Sequence, residues 1–184
     1  MSVNQTTTTT GATDTLTGER ADLVEVLRRH RGFLRTTTDN LTDDQARQRT
    51  TVSELCLGGL IKHVAAVEKG WARFILEGPE AMGDFENMTE SDWAERAAEF
   101  RLLPEETLAG VLEAYAEVAA RTDALVASLP DLDASHPLPK APWFEGDARW
   151  SARRTLLHII AETAQHAGHA DIVREGLDGA KTMG

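Results

Sequence analysis

One segment constrains this chain more than any other. Between His158 and His169 the residues Leu156, Leu157, Ile159, Ile160, Ala164 and Ala167 give an apolar setting with helical spacing. Yet His158, Glu162, His166 and His169 all fall on one face of that helix, within roughly 80° of arc at about 100° per residue. An apolar helix of this kind must be buried. A buried polar group without a partner costs roughly 2–7 kcal/mol, and a charge more. The fold must therefore bring something to this stripe, and a divalent cation satisfies it with the fewest additional groups.

The rest of the chain is helical in pattern. Leu23, Val26, Leu27, His30 and Leu34 repeat at three- and four-residue intervals, predicting a half-buried helix that starts near Gly18. Thr42 to Gln45 has the form of a capping box opening a short helical turn through Arg47. A second long helix is expected from Leu57 to Leu76, stopped by Gly78 and Pro79, with Leu60, Val64, Val67, Trp71 and Phe74 on its inner face. His63 sits in the middle of that face. Ser91 is a candidate cap for a short helix through Phe100, and Pro104 suits the start of a third long helix ending near Pro130.

Residues 130–149 hold four of the six prolines and read as a long loop. Ser151 caps the last helix, expected to run to Glu175 and end at Gly176. No sustained alternation or hairpin dipeptide predicts a strand. The expected fold is all-α, a four-helix bundle with short additional helices and a long loop before the last helix. Residues 1–16, with Thr6 to Thr10 in a row, are expected to be a disordered tail, leaving 17–184 as one bundle domain.

Composition excludes several classes. A formal charge of −11 disfavours a nucleic-acid surface. No apolar run approaches the ~20 residues of a membrane span, and the polar start lacks the character of a signal peptide. The single cysteine, Cys56, fits a reducing compartment, so a cytoplasmic location is expected. Cys56 itself reads as a small buried hydrophobe. Nucleotide-binding and Ser/His/Asp fingerprints are missing, and Glu-x-x-x-His occurs once, which does not meet the needs of a di-iron bundle.

A metal site remains. Glu162 and His166 place two ligands one turn apart, and His63 is the obvious third donor. Zinc, nickel and related ions accept this set, and three protein ligands leave positions for water or substrate. Each residue also has a plainer reading: His63 as a hydrogen-bonded core residue, and Glu162 with His166 as a side-chain pair. His158 and His169 are either outer partners or acid–base groups, or they reach the pocket mouth and solvent. Arg174 either holds a substrate carboxylate or pairs with Asp171 or Glu175. His30 and His136 lack companion ligands. Trp71, Trp143 and Trp150 read as core first, with Trp143 and Phe144 alternatively forming a lid.

Two stretches, Leu60 to Trp71 with His63 and Glu68, and Leu157 to Glu175 with His158, Glu162, His166, His169 and Arg174, resemble the DinB-like superfamily. The branch is the one containing mycothiol-dependent transferases and the metal-binding domain of mycothiol-dependent maleylpyruvate isomerase. The similarity runs from Gly18 to Gly179. It implies a four-helix bundle with a metal, zinc before nickel or another divalent ion, on His63, Glu162 and His166. Many relatives have His where this chain has Glu162. An extra C-terminal domain of the kind the isomerase carries is not expected. The implied activity is a metal-dependent thiol S-transferase joining a low-molecular-weight thiol, mycothiol, to a small electrophile, with His169 or His158 moving the proton. A metal-stabilised non-catalytic module and a metal-water hydrolase stand as alternatives. Relatives often pair through helices, so a homodimer is also expected.

Overall fold

In the computed structural model, described over residues 16–83 and 85–182, six α-helices carry nearly all of the structure. They are α1 (Gly18–Thr36), α2 (Asp43–Arg47), α3 (Leu57–Glu77), α4 (Glu90–Ala98), α5 (Leu108–Ser128) and α6 (Ala152–Asp178). The tail expected over 1–16 lies outside the described residues except for Leu16, which packs against the core. Helices α1, α3, α5 and α6 form the bundle. Helix α6 packs on α1 and α3, and α5 packs on the same two from the other side.

The interior is layered. At one end Leu23, Leu27, Phe74, Val126, Leu156 and Ile159 form an apolar cluster. At the other, Leu34, Leu57, Leu60, Val64, Tyr115 and Val173 form a second. Between them lies a polar belt in which Arg31, Glu68, Thr122 and Thr163 are all buried. Arg31 donates to Glu68 through Nε (3.0 Å) and an Nη (2.6 Å), so the ion pair runs across the bundle from α1 to α3. Its other Nη donates to Asp123 on α5 at 2.8 Å. Each threonine hydroxyl donates to the carbonyl four residues back, Val118 or Ile159. The polar atoms of these four side chains all have partners, which is what burial demands.

Several ends differ from the sequence expectation. The cap of α4 is Thr89, in a reciprocal capping box with Asp92, because Ser91 already lies inside the helix. Helix α5 starts at Leu108 with Thr107 as cap, and Pro104 belongs to the preceding turn. Helix α6 continues past Gly176 to Gly179, whose φ of 79° supplies the left-handed stop. Gly176 serves a different purpose: a Cβ there would meet the Thr50 carbonyl oxygen at 3.1 Å. The loop expected over 130–149 also contains strand pairing. Strands β1 (Ser135–Pro137) and β2 (Arg149–Ser151) pair antiparallel, with His136 opposite Trp150. Each is only three residues long, too short to show alternation. No described helix is long and apolar enough to cross a membrane.

Candidate metal centre

Helix α6 carries the polar stripe past the middle of α3, and there His63 meets it. One donor atom each from His63, Glu162 and His166 lies within 4.8 Å of the others. Within α6, Glu162 Oε2 is 3.6 Å from His166 Nε2. A tetrahedral ion with bonds of about 2.05 Å needs donors about 3.3 Å apart, so small side-chain rotations close the set. The donor chemistry also fits: two imidazoles and one carboxylate are a combination that zinc and its neighbours accept. His63 is 8 % exposed, and its Nδ1 is buried without a hydrogen bond. Such an atom is costly unless something satisfies it.

The flanking histidines divide into two environments. His169 Nδ1 approaches His166 Nδ1 at 3.4 Å, so it holds the ring nitrogen that His166 does not turn toward Glu162. His158 stands on the other side of Glu162, with Nε2 3.7 Å from Oε1. The indoles of Trp71 and Trp150 each meet its ring edge-on at 4.9 Å. Burial holds the His158 imidazole below its ordinary pKa, outweighing the attraction of Glu162. The Glu162 carboxyl is likewise held below the usual carboxylate range, first by its hydrogen bond with His166.

Arg174 is not brought to this cluster. It lies eight residues beyond His166, about 12 Å along the helix. There it pairs with Asp178 at 2.9 Å and donates to the carbonyls of Thr37 and Asp39. The ion-pair reading holds, with Asp178 in place of Asp171 or Glu175. His136 is half-buried, close to the end of α3, with Nε2 3.3 Å from the Ile75 carbonyl oxygen. His30 meets Phe33 edge-on at 6.0 Å.

Sequence reasoning passed over the segment that closes the centre from outside. Phe100, just after α4, stacks on the His63 ring with centroids 3.9 Å apart. Glu99 Oε2 lies 3.7 Å from the orphaned His63 Nδ1. The close approach depends on Gly58 and Gly59, since a Cβ on Gly59 would meet the Phe100 carbonyl oxygen at 1.9 Å. Adjacent glycines inside a helical pattern were the available clue.

Beside the centre opens a cleft of about 410 Å³ whose lining includes Glu162, His158, Glu99 and Arg96. Trp71 is core and Trp150 half-buried, but Trp143 is 54 % exposed and lines the cleft with Phe144. The core expectation fails for Trp143, whose ring meets Phe85 at the exposed rim while its neighbour Phe144 packs against the core.

The family model for mycothiol S-transferase matches residues 22–179. The chain belongs to the mycothiol S-transferase family. The match runs from within α1 through the end of α6, and so takes in every residue of the centre. No curated protein sequence is similar enough to count as a match. Among solved structures, a conserved protein from Enterococcus faecalis superposes with a TM-score of 0.66 at 14 % identity, covering 90 % of this chain and all of that one. YfiT from Bacillus subtilis, described as "a probable metal-dependent hydrolase with an unusual four-helix bundle topology", gives 0.61 at 15 % identity, covering 87 % and 89 %. At these identities the likeness is one of fold.

Proposed function

We propose that this mycothiol S-transferase family member is a metal-dependent enzyme that joins a low-molecular-weight thiol, mycothiol, to a small electrophile. The observation that carries the reading is the convergence of His63, Glu162 and His166 beside an open cleft. A divalent ion, zinc first, would be held by these three side chains and would favour the deprotonated form of a thiol brought to it.

The chain's own residues supply the rest. His158 borders both Glu162 and the cleft, and burial keeps it neutral at pH 7, so it can accept the thiol proton at Nε2. The thiolate sulfur then attacks the electrophilic carbon. A carbon–sulfur bond forms, and the bond to the leaving group breaks with its electron pair. His169 acts through His166, fixing the direction of that ring. Trp71 and Phe144 exclude water from one wall.

The test is product analysis on the full chain carrying one equivalent of zinc, with mycothiol and benzyl chloride. Thioether formation that depends on both metal and thiol is expected, and His63→Ala should lose the metal together with the product. A zinc-loaded protein that forms no thioether with any alkyl halide or epoxide overturns the reading. Release of benzyl alcohol without thiol would instead assign a hydrolase.

A further inference from the structure

The cleft is chemically one-sided, and this constrains what can enter it. Phe85 and Trp143 meet edge-on at 5.5 Å, Trp143 and Phe144 at 6.1 Å, and Phe144 and Trp71 at 6.3 Å. All four line the cleft, giving a chain of aromatic faces from exposed Trp143 to buried Trp71. Aromatic walls of this kind bind flat apolar groups through area and ring geometry.

Among the described residues, Arg96 is the one Arg or Lys that borders this wall. Its guanidinium carbon lies 5.4 Å from the Phe85 ring centroid, a cation–π arrangement that keeps it at the aromatic face. The acids within helical reach of Arg96 are Asp92, four residues back, and Glu99, three ahead. Both are otherwise engaged. Asp92 closes the capping box with Thr89 at 2.7 and 2.8 Å, and Glu99 turns to His63 at 3.7 Å. Among the described residues no hydrogen bond or ion pair holds Arg96, so its donors face what enters the cleft.

We infer that this cleft binds the electrophile, and that the class it selects is a planar, apolar molecule bearing an anionic group, with its ring on Trp71, Phe144 and Trp143 and its anion on Arg96. The inference rests on the thiol-transfer reading and names the substrate class for it. The geometry places the reactive carbon toward Glu162 and His158, the end of the cleft nearest the centre. The inner end is taken by the thiolate beside the ion, and Glu99, which also lines the cleft, would repel a second anion placed there. The charged group is thus directed outward, to Arg96. A volume of about 410 Å³ lies within the range of small-molecule sites and leaves room for a thiol beside a single ring.

The experiment uses unreactive probes, so it does not depend on turnover. The zinc-loaded full chain is titrated with 4-methylbenzoate, with neutral 4-methylbenzamide, and with isobutyrate, following tryptophan emission from the cleft. 4-Methylbenzoate is expected to bind about tenfold tighter than the amide, the size of effect a charged hydrogen bond gives, and isobutyrate more weakly than either. Arg96→Ala should abolish the preference for the anion, and Arg96→Lys should restore part of it. Arg96 is exposed on α4, so the variant's helical content, checked by circular dichroism, is expected to be unchanged. Equal binding of benzoate and amide by the native protein overturns the inference. So does undiminished benzoate binding by Arg96→Ala; if that binding then disappears on zinc removal, the ion and not Arg96 holds the carboxylate. Thioether formation from benzyl chloride with no anion preference would leave the enzyme reading intact and reject this one alone.

Discussion

Phe100 lies flat on His63, its ring plane within 24° of the imidazole and its centroid 3.9 Å away. An imidazole caught between this ring and the α6 stripe has little freedom to turn. The contact exists because α3 is bare at Gly59, where the backbone of Phe100 and Arg101 settles against it, and at Gly58, where the Leu102 side chain does.

Gly59→Ala should therefore act at the centre without touching a ligand. The new methyl would meet Phe100 backbone atoms at 1.9 and 2.3 Å, and neither atom can swing aside as a side chain could. The segment must lift. A cost of about 1–3 kcal/mol is expected from overpacking, seen as a lower melting temperature, with weaker zinc binding in a chelator competition. A variant matching the native protein in both would show that the segment docks elsewhere.

Glu99→Ala should weaken zinc binding by about tenfold, the lower end of what outer partners of ligating histidines contribute. The reason is the buried His63 Nδ1, whose nearest ion-pair partner is the Glu99 carboxylate at 3.7 Å. Glu99→Gln keeps a hydrogen-bonding group and should fall between the two. Unchanged affinity in the alanine variant would remove Glu99 from the centre.

The ion pair across the bundle predicts an asymmetry between single and double substitution. Glu68→Ala leaves the buried Arg31 with only Asp123, and a loss of about 3–5 kcal/mol in urea unfolding is expected. Replacing both Arg31 and Glu68 by Leu should cost less than Glu68→Ala alone, since Asp123 keeps Arg28 at 2.8 Å. A double variant less stable than either single one would mean that the pair is a net stabiliser.

Acid should destabilise the metal-free protein in two stages. His158 and Glu162 both have folded pKa values below their ordinary 6.5 and 4.5. For each, the unfolded chain binds more protons, so stability is full above the ordinary value and is lost as pH falls through the folded one. Urea midpoints should decline first below about pH 6.5 and again below about pH 4.5. His158→Asn should flatten the first stage only. Midpoints that rise on acidification from pH 7 to 5 would reverse the sign assigned to His158.

What the sequence made legible was the part written in local periodicity. The capping box at Thr42, the length of α3, the Ser151 cap and the i, i+4 spacing of Glu162 and His166 each depend on neighbours a few residues away. The meeting of His63 with that pair is long-range, but both lie on inner faces at mid-helix, so the bundle itself brings them together. Glu99, Phe100 and Arg96 were missed because α4 buries none of its residues and docks through its C-terminal flank. Its contribution is set by where α3 lacks side chains. The strand pair escaped for a related reason: β1 and β2 are defined by their partners across eleven intervening residues, with no pattern of their own.

Ser151 ends β2 and also caps α6, its hydroxyl accepting from the Arg154 amide at 3.1 Å. Just inside the pair, Leu138 N–H donates to the Ala148 carbonyl at 2.9 Å, so the arm bearing Trp143 and Phe144 hangs from a closed neck. The helix that carries Glu162 and His166 is thus capped at that neck and set by its packing on α1 and α3, not by the arm. Changes at exposed positions of that arm, Trp143 among them, would retune which molecules are admitted while the reactive end of the helix keeps its aim.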